Sequence, residues 1–167
     1  MTFRCVTQRC EAATLLIDNV DETVSIGKGL ILYVSWAKGA TADDLPKIVK
    51  SLLTIRLLSA PSGKPQSICE ASTASDEPVH VLVVPQAALT SKVQRGKNLQ
   101  YHGQLGKDEG AEALYLAFVQ LLGDMAKDLV QGTTSEPRLP VIRAGTFGNR
   151  QTLEFRSEGP FTHMLEM

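Results

Sequence analysis

Two stretches of this chain are almost unbroken apolar runs, Gly29 to Trp36 and Val79 to Pro85. Runs of that kind belong to strands buried on both faces. Phe3 to Ile17 intersperses apolar and β-compatible polar residues and reads as strand, and Val24 to Gly29 ends a second strand in a glycine turn. Leu45, Ile48, Val49, Leu52 and Leu53 recur at helical spacing, which predicts an amphipathic helix over Thr41–Thr54. Thr41 followed by Asp44 is close to a capping box, and Pro46 falls near the first turn, where proline is tolerated. Ala111, Leu114, Tyr115, Phe118, Leu121 and Leu122 form the stripe of a second helix.

Between these elements, Ile55–Leu58 reads as a short strand. Ser59–Glu77 reads as a long loop, Thr90–Lys107 as a polar, basic loop and Gln131–Pro137 as a linker. Leu139–Ala144, Thr152–Phe155 and Phe161–Glu166 read as three closing strands. The order is not a regular alternation of strand and helix. The predicted class is α/β in the α+β sense: mainly antiparallel sheets forming a barrel-like core, with two helices packed outside, in one domain spanning 1–167.

Composition narrows the function classes. The 167 residues are 43% hydrophobic and 21% charged with a net charge of −1, so any RNA contact is expected to be local rather than a long electrostatic track. The first residues carry no signal-peptide pattern and no apolar run is long enough to span a bilayer, so a cytoplasmic protein without a membrane partner is expected. Cys5, Cys10 and Cys69 lack C-x-x-C spacing, and His80, His102 and His163 lack metal-binding spacing. No disulfide framework, metal or cofactor is therefore expected.

Two short segments remain as candidate chemistry: Pro85-Gln86-Ala87-Ala88-Leu89 and Ser157-Glu158-Gly159-Pro160-Phe161-Thr162. Each sits at or just past a predicted strand, and neither holds an obvious nucleophile. They offer a side-chain amide and a backbone of restricted geometry. One reading makes them a strand end and a turn. The other lets Gln86 project into a pocket while nearby N–H groups face a developing oxyanion, each such donor being worth on the order of 3 kcal/mol. Lys92, Arg95 and Lys97 form a small basic cluster that is either a solvated loop or a clamp on RNA phosphates.

Several segments, taken in order, resemble the D-aminoacyl-tRNA deacylases. Arg4-Cys-Val-Thr-Gln8-Arg9 is similar to that family's opening strand, and Ile26-Gly27-Lys28-Gly29-Leu30 to its glycine turn. The two candidate segments are similar to its paired motifs, Ser-Gln-Phe-Thr and Asn-x-Gly-Pro-x-Thr. Lys38-Gly39-Ala40 with Leu45-Pro46-Lys47, Pro85-Gln86-Ala87, Gly96 to His102 and Gly145 to Gln151 resemble the animal-type branch, while Arg9 resembles the standard branch. Ala88 stands where the standard motif has Thr, which removes a threonine nucleophile, and Ser157 stands where it has Asn.

The resemblance implies a homodimer that hydrolyses the ester of D-aminoacyl-tRNA, and L-alanyl-tRNA mischarged on threonine tRNA in the animal-type branch. Gln86, Ala87 and Ala88 would position the ester, and Gly159-Pro160 would come from the partner subunit. Pro85, Phe161 and Thr162 would touch the substrate, and Lys92, Arg95 and Lys97 the RNA. The surroundings predict a trans Gly159–Pro160 bond. A non-catalytic RNA-binding or dimer-scaffold protein with the same fold stays open beside it, because of Ala88.

Overall fold

A computed structural model describes residues 1–17 and 22–167. The first predicted strand is two: β1 (Phe3–Cys10) and β2 (Ala12–Ile17), separated at Glu11, whose N–H donates to Arg156 O at 2.7 Å. Then come β3 (Glu22–Ile26) and β4 (Gly29–Trp36). A 3-10 turn over Ala42–Asp44 leads into α1 (Leu45–Thr54), and Asp44 Oδ2 accepts the Thr41 N–H at 3.0 Å. The pair β5 (Leu58–Ser59) and β6 (Pro65–Gln66) precedes α2 (Ile68–Ala74) and β7 (His80–Pro85). A hairpin of β8 (Lys92–Val93) and β9 (Leu99–Gln100) precedes α3 (Ala111–Val130). β10 (Val141–Ala144), β11 (Gln151–Arg156) and β12 (Thr162–Glu166) follow.

The strands form a five-stranded sheet in the order β10-β7-β4-β1-β12 and a three-stranded sheet in the order β11-β2-β3. Most pairings are antiparallel, but β4 pairs with β7, and β7 with β10, in parallel. Parallel neighbours need a crossover. α1 and α2 lie between β4 and β7 in the chain, and α3 lies between β7 and β10.

Period-2 alternation then sorts the central strands. Leu30, Leu32, Val34 and Trp36 of β4 and Val81 and Val83 of β7 pack with the helices in the larger core. Ile31, Leu82 and Val84 turn to the opposite face and meet Ala13, Leu15 and Ile26 of the small sheet. The near-continuous apolar runs are thus strands buried on both faces. Gly29 pairs with His80 so closely that a Cβ would lie 1.8 Å from His80 O, which only glycine avoids.

The expected α+β class with mainly antiparallel pairing holds, and several of its details need correction. The barrel-like core takes the form of two sheets packed face to face, the chain changing sheets at Glu11. There are three helices among the described residues, not two. The segment Ser59–Glu77 contains α2, a seven-residue helix whose polar composition hides its periodicity. Its start is a capping box, with Ser67 Oγ accepting from Glu70 N at 3.2 Å and Glu70 Oε2 accepting from Ser67 N at 2.8 Å. The short strand is Leu58–Ser59 rather than Ile55–Leu58, and the Thr90–Lys107 loop contains the β8–β9 hairpin.

Candidate active site

β7 ends at Pro85, and the chain turns at once into a 3-10 turn over Ala87–Thr90 capped by Gln86. Gln86 N donates to Val34 O at 2.9 Å, so the last sheet bond is also the root of the turn. Below it, Thr90 Oγ1 donates to Ala87 O at 3.0 Å and lies 3.2 Å from Ser35 Oγ in a buried pair. Arg4 donates to Leu89 O at 2.9 Å and is itself held by Glu166 at 2.7 Å. The turn is therefore fixed from β4, β1 and β12 at once. Gln86, Ala87 and Ala88 are exposed on its outer side.

Pro85, Gln86 and Ala87 line a cavity of about 350 Å³. Ala88 does not; its N–H turns back toward Gln86 Oε1 at 3.4 Å. The Ala87 N–H stands at the first position of the 3-10 turn, where no intrahelical acceptor exists, and it donates to no other group among the described residues. The opposite wall comes from Phe147 and Arg150 in the β10–β11 connection and from Lys107 before α3. Tyr115 positions that wall. Its hydroxyl donates to Gly145 O at 2.7 Å and Val83 O at 3.2 Å, tying β7 to the loop, and its ring lies 5.7 Å from Phe147. Gln151 closes the same loop, accepting from Thr146 N at 2.9 Å and donating to Thr146 O at 3.1 Å.

Sequence reasoning gave Lys107, Phe147, Arg150 and Tyr115 no role. Tyr115 was legible only as a member of a core stripe, and the others lie in loops that tertiary packing brings to Gln86. The basic cluster lies elsewhere. Lys92, Arg95 and Lys97 sit on the exposed β8–β9 hairpin, closed by Gln94 N to Asn98 O at 2.9 Å, and none lines the cavity.

The second segment is also a built loop. Ser157 Oγ donates to Gly159 O and accepts from Gly159 N, and Thr162 Oγ1 is bonded to Gln8 Oε1 and Pro160 O. Gln8, 7% exposed, also donates to Ser157 Oγ at 3.3 Å and Arg9 O at 2.8 Å. The Arg9 guanidinium stacks 4.4 Å above the Phe161 ring and donates to Leu57 O at 2.6 Å and Ser59 Oγ at 3.2 Å. Both carbonyls of the Gly159–Pro160 pair are thus taken up inside their own loop. The described residues contain no cis peptide bond, so Gly159–Pro160 is trans, as its surroundings predict.

The two segments do not meet within one chain. Arg4 holds the Gln86 turn, whereas Gln8 and Arg9 hold the Gly-Pro loop. Four to five strand steps separate them, about 13 to 17 Å. Neither Gly159 nor Pro160 lines the Gln86 cavity.

Of the three thiols, burial pushes Cys5 up to about 12 and Cys10 up to about 11, and raises Cys69. All stay protonated and unreactive at neutral pH. Burial likewise raises the Tyr115 phenol, which keeps it a donor to its two carbonyls. Near the cavity, the Gly106 N–H and then Lys38 hold the Glu109 carboxyl below its usual range. Among the described residues no three His, Cys, Asp or Glu side chains come together in a metal-binding group, and no helix is long and apolar enough to cross a membrane.

Comparison with known proteins bears on this architecture along its whole length. The family model described as D-Tyr-tRNA(Tyr) deacylase matches residues 6–166. The chain is 37% identical to "D-aminoacyl-tRNA deacylase 2" of Danio rerio, covering 99% of each chain. It is 38% identical to the Homo sapiens protein of the same name, covering 98% of this chain and 94% of that one. The solved structure of a "probable eukaryotic D-amino acid tRNA deacylase" superposes with a TM-score of 0.80 at 32% identity, covering 100% of both chains. The fold, the Gln86 turn and the Gly-Pro loop thus accompany full-length sequence similarity, and the chain belongs to the D-Tyr-tRNA(Tyr) deacylase family.

Proposed function

We propose that this chain hydrolyses the ester joining a wrong amino acid to the 3′ end of tRNA. The observation that carries this reading is the Gln86 turn at the cavity, with the Ala87 N–H left without an internal partner. Such a donor suits the oxygen that becomes negative as an ester is attacked. Water adds to the ester carbonyl carbon, the bond to the ribose oxygen breaks, and that oxygen takes the proton. The neighbouring ribose hydroxyl assists, since position 88 is alanine, the Thr90 hydroxyl is buried and bonded to Ala87 O and Ser35, and the thiols are buried and protonated. Gln86 and Ala87 orient the ester, and Ala88 acts through the turn that aims Ala87.

The site is completed by a second copy. In one chain the Gly159–Pro160 loop is a strand's length away from the cavity, and its Phe161 and Thr162 are exposed beside the free edge of β12. A homodimer brings that loop to the partner's Gln86 cavity, where it screens the α-carbon. With both loop carbonyls held inward by Ser157 and Thr162, the loop makes few contacts that penalise a small L side chain. D-aminoacyl-tRNA and L-alanyl-tRNA are both substrates on this reading. Selection is by exclusion of larger side chains. The hairpin cations Lys92, Arg95 and Lys97 meet RNA phosphates away from the ester, and the protein works in the cytoplasm, where charged tRNA is made.

A deacylation panel of D-aminoacyl, glycyl and L-alanyl tRNAs tests the proposal. Cleavage of the D-aminoacyl and L-alanyl species is expected. Binding without turnover of any of them would favour a dimeric RNA-binding scaffold, the reading that Ala88 keeps open. In that case Ala88→Thr would raise the rate by on the order of a hundredfold; the deacylase reading expects only a modest change.

A further inference from the structure

We infer that Lys107 and Arg150 form a binding site for the phosphate attached to the terminal ribose of the RNA, on the far side of that sugar from the ester. The inference rests on the deacylase reading above. The cavity lining contains these two cations and no carboxylate, in a chain with more acidic than basic residues. Neither makes an ion pair among the described residues. Glu109, two positions after Lys107, is taken up by Gly106 N at 2.8 Å and by Lys38 at 3.6 Å, so it does not neutralise the lysine.

The two cations come from separate elements but line one cavity, and Lys107 packs against the backbone beside Arg150. Gly148 has φ +78, and a Cβ there would lie 2.6 Å from Lys107 Nζ. The lysine amine therefore sits against the bare backbone two residues before Arg150. Two like charges at one cavity are unfavourable when it is empty and favourable around an anion. A guanidinium offers a planar fork and an ammonium a compact point charge, a pairing suited to a phosphodiester. The hairpin cations do not line the cavity and reach only phosphates further along the strand. The nucleotide that carries the ester has its own 5′-phosphate on the same ribose, so a ligand whose ester lies at Gln86 brings one phosphate to this cavity.

Trp36 is the single tryptophan and lines the cavity, so its fluorescence reports occupancy directly. Adenosine and adenosine 5′-phosphate are titrated into the full-length protein and into a Lys107→Gln, Arg150→Gln double variant. The phosphorylated probe is expected to bind the unaltered protein about tenfold more tightly than adenosine. In the double variant that advantage falls to about twofold or less, while adenosine affinity is unchanged. Equal affinity for the two probes in the unaltered protein, or an advantage that survives the double substitution, overturns the site. Hydrolysis of a D-aminoacyl-adenosine lacking the phosphate is measured on the same samples. Hydrolysis without any phosphate preference overturns this site alone. Absent hydrolysis overturns the deacylase reading, and with it the assignment of the bound phosphate to RNA.

Discussion

At one end of the five-stranded sheet, β4 and β7 run out into a cavity of about 350 Å³ whose charged lining is Lys107 and Arg150. At the other end, the same two strands begin beside a cavity of about 420 Å³ that carries Asp76 and Glu77 with Lys28, and the Gly159–Pro160 loop stands next to it across Arg9 and Ser59. Size favours the second cavity, whereas the proposed chemistry belongs to the first. The carboxyl ends of parallel strands are where open α/β sheets place ligands, and here Gln86 follows the last residue of one such strand. On the proposed reading the second end is a presenting surface. Its polar groups are spent holding a loop outward: Ser157 and Thr162 on the loop's own carbonyls, and Arg9 on Phe161 and Leu57 O. In the proposed dimer one end receives, and the other supplies what a second copy of the chain would receive.

Four substitutions or conditions sharpen that contrast. The largest effect belongs to the receiving end. Gln86→Ala is expected to lower deacylation by about a hundredfold, within the range for loss of one oriented polar group, while the thermal midpoint moves little because the side chain is exposed. Unchanged rates would remove Gln86 from the mechanism. At the presenting end, Gln8→Ala deletes the amide that ties Ser157, Arg9 O and Thr162 together. A rate loss of about tenfold, together with altered discrimination between D- and L-aminoacyl esters, is expected. Stability loss with rates and discrimination intact would make the loop architectural only.

Tyr115→Phe probes the wall between cavity and core. Two buried carbonyls, Val83 O and Gly145 O, lose their hydroxyl donor, and urea unfolding should show a loss of about 1–3 kcal/mol. An unfolding midpoint that stays put would contradict the staple. The smallest effect is remote from both ends. Arg56 and the Ser67 N–H hold Glu70 down to about 2, from an ordinary 4.5. A carboxyl whose folded value is depressed contributes stability above its unfolded value and loses it as pH falls through the folded one. The contribution of this cap to stability should fade between about pH 4.5 and pH 2, and Glu70→Gln should be insensitive across that window. Parallel acid unfolding curves for the two proteins would refute it.

The sequence exposed the receiving end better than the presenting end. Val79 to Pro85 is apolar because β7 is covered on both faces, so its end, and Gln86 beyond it, could be placed from the pattern alone. The helix α2 was hidden because it is short and carries Glu70, Ser72 and Thr73, although Ser67 and Glu70 stood at capping-box spacing throughout. Lys107 and Arg150 could not be paired from sequence. They come to line one cavity through tertiary packing, with Lys107 against the backbone of Gly148. The same holds for Gln8, which reads as one more strand residue until β12 returns beside β1 and brings Thr162 to its amide.

An active site assembled from two copies of the chain is tested directly by mixed dimers. Gln86→Ala and a variant lacking the Gly159–Pro160 loop, each confirmed to have lost deacylation, are unfolded together and reassembled. If the Gly-Pro loop of one subunit serves the cavity of the other, each mixed dimer has one site with both parts intact. Random assembly then restores about a quarter of the unaltered sites. If each chain completes its own site, every site in every dimer keeps one defect and the mixture stays inactive, which would rule out a site shared between copies.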